Sequence, residues 1–486
     1  MFTPDTPALP ARSLPGLLHG LVQTQPDALA IRWLDTATDT RSDWSFARLN
    51  EVADTLARCF MVLGVRPGDR VAWLGLNHPA VIVLLFALAR LGAVLVPLNH
   101  RLSPAEWQSV LADCTPCLLL HDGAFANAAH ALASAHAAVH AWPLAEAPAG
   151  DTGTASPAAD RADAPLLLVY TSGTTGVPKG AVHTQAALLA NARASAWAHD
   201  FVEGDKVLST LPMFHVGGLC IQTLPALLAG VEVVLHPRFD PTAWLDEMHT
   251  SRPTLSLLVP ATMRAVFEHP RWADTSLACL RGIMTGSSTV PVAYLETLHA
   301  RGVPVGQVYG TTETGPVSIV LRLSDAMARV GASGWPQPEA QVKLIDAQGQ
   351  EVAPGETGEV CLRAANLMRG YWSAQGMTGI GLQDGWFHSG DLGQCAEDGC
   401  ITIVGRSKDM IISGGENIYP AEIENQLVTL PGVAENAVVG VADARWGEVP
   451  VAVLVRSPDA AGQTLTAEAV LQHLQSRIAR FKLPRR

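Results

Sequence analysis

Residues 170–180, "YTSGTTGVPKG", place hydroxyls, glycines and one ammonium directly after an apolar run. Glycine amides free of Cβ obstruction, joined by hydroxyls and a lysine, can surround phosphate oxygens. The string is not the usual phosphate loop of kinases and GTPases. That loop needs Gly before its lysine and Ser or Thr after it, whereas Lys179 stands between Pro178 and Gly180. Taken alone, the same residues read equally as a plain turn or as caps for a following helix.

Companion strings change that balance: "LPMFHVGGL" at 211–219, "YGTTETG" at 309–315, "GWFHSGDLG" at 385–393 and "GRSKDMIISGGENIYPAEIE" at 405–424. In this order they resemble the signatures of the adenylate-forming superfamily, in its acyl-CoA and aryl-CoA synthetase branch. "GVRPGDRVAWLGLNHP" and "GAVLVPLNHRL" extend the resemblance over nearly the whole chain. It implies an α/β multidomain fold. Residues 1–407 would form a large N-terminal region of two α/β subdomains and a β-barrel, and 408–486 a small, mobile α+β domain.

The activity implied is acid–thiol ligation with ATP, Mg2+ and coenzyme A. A carboxylate is a poor acyl donor, so one oxygen attacks the α-phosphate, pyrophosphate leaves, and the acyl-adenylate passes its acyl group to the thiol. Charge developing on phosphate calls for a metal and preorganised donors.

By resemblance, Thr171, Ser172, Gly173, Thr174, Thr175, Gly176 and Lys179 would hold the departing phosphates. Glu313 would bind magnesium, and Thr312, beside Gly310 and Thr311, would reach the α-phosphate. Asp391 would accept both ribose hydroxyls, with Arg406 close by. Adenine would lie along Gly286, Ser287 and Ser288 and against Tyr309, although "TGSSTVP" departs from the family's glycine-glycine-alanine form.

His215 matches the residue that borders the carboxylate and gates the thiol; amino-acid-activating relatives carry an aspartate near this place. Val216, Gly217, Ile221 and Thr285 would wall an acyl pocket without charge, which fits a medium-chain aliphatic or an aromatic acid. Lys408 matches the hinge of the small domain, and Ser413, Gly414, Gly415 and Trp446 the pantetheine path. In relatives the small domain runs on past a segment like "RFKLPRR" and carries there a lysine that bridges acid and ATP. The sequence ends at Arg486, so the expectation is impaired adenylation with retained thioester formation from a supplied acyl-adenylate. Two alternatives stay open: an adenylation domain loading a carrier protein, and a non-catalytic nucleotide-binding protein.

Bulk properties narrow the field. With 45 acidic and 33 basic side chains the net charge is -12, which disfavours a nucleic-acid partner. The N-terminus puts prolines where an export signal needs a basic and then an apolar stretch, so a cytoplasmic protein is expected. The apolar run 81–98 is broken by Arg90, Gly92 and Pro97 and reads as a buried helix followed by a buried strand, not a membrane span. The 8 cysteines lack metal-ligand spacing and read as plain thiols. His130, His136 and His140 read as solvated helix surface. Dimers are common in the resembled family, so a homodimer is compatible.

These residues need scaffolds. Residues 45–113 alternate helical and apolar-strand patterns as βαβ units do. "LLLVYT", "KVLSTL", "VEVVLH", "TLSLLVP", "RGIMTG" and "VPVGQVYG" read as a second α/β sheet, with helices near 184–199 and 291–299. Residues 147–164 read as a connection. Short strands with glycine turns follow, "QVKLIDAQGQEV" and "GETGEVCLRA", then a separate βα pattern from 408 with a helix starting near Pro420.

Overall fold

The computed structural model describes residues 13–35, 38–135, 140–143, 161–171, 178–286, 290–373, 376–414, 416–443, 445–475 and 477–485. Among these, no helix is long and apolar enough to cross a membrane. The apolar run is the helix Pro79–Leu91 followed by the strand Val94–Pro97. Pro79 opens the helix, the His78 imidazole accepts from Ala80 N–H at 3.1 Å, and Gly92 closes it at φ 69°. Every residue from Pro79 to Ala89 is buried, so the helix is apolar on all faces because it crosses the core.

Four sheets carry the chain. One, of eight strands, runs in the order Thr378–Gly379, Gly370–Trp372, Lys179–Thr184, Pro165–Thr171, Val94–Pro97, Arg70–Leu74, Leu118–His121, His140–Pro143. A nine-stranded sheet takes Trp335–Pro336, Ile319–Leu321, Val305–Tyr309, Gly282–Gly286, Leu255–Leu257, Lys206–Ser209, Glu232–Leu235, Leu29–Asp35 and Thr40–Ser45. Both are parallel at their centres and antiparallel toward an edge. The helix Gln185–His199, capped by Thr184, is buried along most of its length.

Two expectations change here. "LLLVYT" does not begin the second sheet. Pro165–Thr171 pairs with Val94–Pro97 and Lys179–Thr184 in the first sheet, while the second recruits the hairpin of Leu29–Asp35 and Thr40–Ser45. Burial on both faces makes parallel strands look alike in sequence, so their patterning does not name a sheet. The β-barrel is replaced by an open four-stranded antiparallel sheet, ordered Ala340–Ile345, Thr357–Ala364, Phe387–Cys395, Ile401–Arg406; among the described residues no strand pair closes it.

The last sheet orders Glu416–Ile418, Ile411–Ser413, Gly447–Arg456 and Val433–Asp443, packed by the helices Pro420–Leu427 and Ala467–Gln475 around Ile411, Ile418, Ile423, Leu427 and Leu474. All of these elements fall within residues 408–486. The cysteines form no disulfide among the described residues; Cys59, Cys114, Cys220, Cys361 and Cys400 are buried and Cys117, Cys279 and Cys395 half-buried. His130 is exposed on its helix, His140 opens the strand His140–Pro143 and so does not lie on a helix as expected, and His136 lies outside the described residues.

Candidate active site

Thr171 and Lys179 face each other at the end of the antiparallel pair Pro165–Thr171 and Lys179–Thr184, where the Thr171 hydroxyl points to the Lys179 carbonyl at 3.4 Å. Ser172, Gly173, Thr174, Thr175 and Gly176 lie outside the described residues. Their segment joins two strands, so no helix follows that they could cap directly. Tyr170 is anchored by its hydroxyl on Asp113 Oδ2 at 2.5 Å. Lys179 is exposed, and its Nζ stands 5.6 Å from the centre of the Tyr371 ring.

Glu313 meets the same ring from its polar edge. The strand Val305–Tyr309 leads through Gly310 and Thr311 into the 3-10 turn Thr312–Thr314, whose start is tied by Thr311 N–H to Thr314 Oγ1 at 2.8 Å. A Cβ on Gly310 would come 2.4 Å from the Pro316 carbonyl, so the turn admits only glycine there. The Tyr371 hydroxyl donates to Glu313 Oε1 at 2.8 Å, and the Glu313 carbonyl accepts from Met368 N–H at 2.8 Å. Burial and the facing carboxylate push the phenol up. Glu313 and Lys179 thus flank one aromatic side chain, although 134 positions separate them in sequence.

His183 was not among the residues singled out by sequence. It projects from Lys179–Thr184 with a 1 % exposed side chain, close to Glu313 and the Thr312 backbone. Burial lowers its pKa to about 4 against the opposing pull of Glu313, which keeps the ring neutral. The available signal was a polar residue at a position where strand alternation calls for an apolar one.

Asp391 comes from a bulge. Between the paired positions Glu359↔Leu392 and Cys361↔His388, two steps along one strand span four along the other, with Gly390 at φ 70°. The bulge turns Asp391 toward Tyr309, whose hydroxyl donates to Oδ2 at 2.8 Å, while Arg406 Nε sits 3.1 Å from Oδ1. The carboxylate is 5 % exposed. Desolvation raises its pKa, opposed by Tyr309 and Arg406 and reinforced by Glu313, so both carboxylates act within one electrostatic neighbourhood. Each Asp391 oxygen keeps lone pairs for further donors.

Gly286 ends the strand Gly282–Gly286, and a Cβ there would lie 2.4 Å from the Val308 carbonyl; Ser287 and Ser288 lie outside the described residues. Thr285 is fully buried and its hydroxyl finds no partner among the described residues. His215 is exposed in front of the short helix Val216–Gly218, its ring 4.6 Å from that of Phe214. Desolvation and then Arg101 lower its pKa, so it is neutral at neutral pH. The chain continues past Gly217 as the π-helical turn Leu219–Thr223, a local widening frequent at functional sites. Two of the four wall residues fall in different cores: Ile221 shares a cluster with Met284 and Val308, whereas Val216 belongs to the larger core with Met213 and Leu219.

Lys408 is exposed in the 3-10 turn Ser407–Asp409, directly after Arg406 and before Ile411–Ser413. Ser413 pairs with both Glu416 and Gly447. Gly414, at φ 62°, donates to the Trp446 carbonyl at 2.7 Å, and a Cβ would meet the indole at 2.7 Å. Trp446 is 37 % exposed, with Arg445 and Arg485 4.9 and 5.7 Å from its ring. Gly415 lies outside the described residues.

Residues 19–372 match the family described as AMP-binding enzyme, and residues 422–486 match the AMP-binding enzyme C-terminal domain. The chain is 44% identical over 472 residues to the indoleacetate–CoA ligase of Aromatoleum aromaticum (strain DSM 19018 / LMG 30748 / EbN1), covering 95% of this chain and 91% of that protein. It is 40% identical over 466 residues to the feruloyl-CoA synthase of an Amycolatopsis species, with the same 95% and 91% coverage. The o-succinylbenzoate coenzyme A synthetase of Bacillus subtilis, solved with ATP and a magnesium ion, superposes with a TM-score of 0.82 at 30% identity, covering 96% of this chain and 94% of that one.

Proposed function

The chain belongs to the AMP-binding enzyme family, and on that premise we propose that it activates an aromatic carboxylic acid with ATP and transfers the acyl group to coenzyme A. The observation that carries this reading is the convergence of Lys179, Tyr371 and Glu313 with Tyr309, Asp391 and Arg406. One side holds a cation for phosphates and the other a buried carboxylate for a ribose.

The acid's carboxylate attacks the α-phosphorus, the bond to the β,γ-phosphates breaks, and pyrophosphate leaves. Lys179, with the loop it borders, neutralises the leaving phosphates, and Thr312 lies toward the α-phosphate. Glu313 suits magnesium: Tyr371 occupies Oε1, and a half-buried carboxylate oxygen is the hard ligand that ion prefers. Bound there, the ion would offset negative charge on the phosphates. Asp391 orients the ribose and Tyr309 its base, with Gly286 letting its strand pack closely against Val308 beside that base. His215, neutral, borders the acid without adding charge.

The thiol then attacks the acyl carbonyl and AMP leaves. We assign this step to residues 408–486 turning about Lys408 against residues 1–407, bringing Ser413, Gly414 and Trp446 to the pantetheine. Lys408 follows Arg406, the residue paired with Asp391, so a turn at 408 leaves the ribose contact in place. Ile221 and the buried Thr285 hydroxyl border an acyl site with no charged wall. An aromatic acid is favoured over a fatty acid by the relatives at 44% and 40% identity, an indoleacetate and a feruloyl ligase. We place the protein in the cytoplasm, with the ATP and coenzyme A it consumes.

The test is AMP release with ATP, magnesium and coenzyme A over arylacetic, hydroxycinnamic and medium-chain aliphatic acids. Highest kcat/KM on an arylacetic or hydroxycinnamic acid is expected. Preference for the aliphatic series would overturn the substrate class, and silence across the panel together with no thioester from supplied acyl-adenylates the ligase reading.

A further inference from the structure

The bulge that delivers Asp391 also gathers three metal-ligating side chains on the neighbouring face of the open sheet. Glu359 and Cys361 alternate along Thr357–Ala364, and His388 is the cross-strand partner of Cys361. Without the extra residues of the bulge, Glu359 would face a residue two positions closer to His388. With them, the Glu359 carboxylate folds over the gap, its Oε1 accepting from Gly390 N–H at 3.0 Å and its Oε2 lying 3.1 Å from His388 Nδ1. Cys361 Sγ lies 3.7 Å from the same Nδ1, and one ligand atom from each residue falls within 4.8 Å of the others.

Those separations are the edges of a metal tetrahedron. With zinc bonds of about 2.3 Å to sulfur and about 2.0–2.1 Å to nitrogen and oxygen, tetrahedral angles put S···N near about 3.5 Å and N···O near about 3.3 Å. The observed 3.7 and 3.1 Å need adjustments of only a few tenths of an ångström. The carboxylate contact and the longer sulfur contact fall on one imidazole nitrogen, and a metal ion would replace both hydrogen bonds with directed bonds to all three atoms.

We propose that Cys361, His388 and Glu359 form a binding site for zinc or a similar thiophilic divalent ion, with solvent as the fourth ligand. Cys361 is 0 % exposed, while the side chains of His388 and Glu359 are 23% and 28% exposed, which leaves the ion a route from solvent. Cys361 gives up its proton on coordination, and the proton between Nδ1 and Oε2 is displaced to solvent. Thiolate and imidazole select zinc or cobalt over magnesium. Lys343, paired with Cys361 on the other side and stacked over Trp386 at 4.7 Å, offsets the thiolate charge. The site is independent of the acid and of Glu313, and the bulge joins it to the Asp391 segment through Gly390.

Cobalt(II) titration of the whole chain reads this directly. One equivalent should bind with a sulfur-to-cobalt charge-transfer absorption in the near ultraviolet, and zinc should displace it. Outer-sphere partners alone shift affinity about 10–100-fold, so losing the sulfur in Cys361→Ser should weaken binding by at least about 100-fold and abolish the band. His388→Asn and Glu359→Gln should each weaken binding, which keeps the proposal testable if Cys361→Ser folds poorly by circular dichroism. Glu313→Gln should leave the band unchanged. Absence of a thiolate band in the native chain, or an unaltered band in Cys361→Ser, overturns the proposal and leaves the ligase reading untouched.

Discussion

Tyr371 donates its hydroxyl to Glu313 Oε1 at 2.8 Å while its ring faces the Lys179 ammonium at 5.6 Å. The contact orients the carboxylate and leaves one oxygen for a cation. The Tyr371 side chain also lies between Glu313, proposed to hold magnesium, and Lys179, proposed to hold phosphate.

Tyr371→Phe keeps the ring and removes the donor. A hydrogen bond to a charged group is worth about 1.5–3 kcal/mol, so the KM for magnesium–ATP should rise at least about tenfold. Thioester formation from a synthetic acyl-adenylate should stay near the native rate, because no metal is needed there. Steady-state kinetics of the two half-reactions separate these outcomes; equal losses in both would mean that Tyr371 serves folding alone.

Asp391 carries a pH signature. Its raised pKa means that it takes up a proton at a higher pH than an ordinary aspartate, and the neutral acid is a weaker acceptor for ribose hydroxyls. The KM for ATP should therefore climb as pH falls, starting above the usual aspartate range of about 4. Tyr309→Phe removes a hydrogen bond that favours the ionised form and should move this limb upward by roughly one unit. A KM profile flat down to the ordinary range contradicts it.

Trp446→Ala should divide the reaction. The ring packs against Gly414 and belongs to the proposed thiol path, and one aromatic contact is worth about 0.5–1.5 kcal/mol beyond its area. The KM for coenzyme A should rise about tenfold, while acid-dependent pyrophosphate exchange changes little. Parallel losses in exchange and thioester formation refute the assignment.

Two fully buried histidines tie stability to pH. Burial lowers both His183 and His199 to about 4, from an ordinary value near 6.5. The unfolded chain therefore binds more protons than the folded one between those values, and stability is lost as pH falls from about 6.5 toward 4. Each histidine contributes up to about 1.4 kcal/mol per pH unit in that window. His199→Phe should flatten the fall in denaturant midpoint, measured by circular dichroism. An unchanged slope contradicts the assignment.

Many residues of the proposed site could be named along the chain because they sit in short strings whose residue types suggest a chemistry. Lys179 after a glycine-rich string, Glu313 in a glycine-bounded turn and Asp391 beside Gly390 each sit where the local backbone path is set within a few residues, although their side-chain partners come from far along the chain. The helix Pro79–Leu91 and the strand after it were equally readable, since an apolar run with a proline start and a glycine end has few alternatives.

What only the tertiary structure decided was which distant segments meet. The continuous apolar run says that Pro165–Thr171 is a buried strand but not that it pairs with Val94–Pro97, and patterning cannot say that four strands stay open instead of closing a barrel. Tyr371 reaches Glu313, and Cys361 faces His388, through pairings that span 58 and 27 residues. Register is set by burial summed over whole sheets and by one bulge, so a contact across strands has no signature in either strand alone.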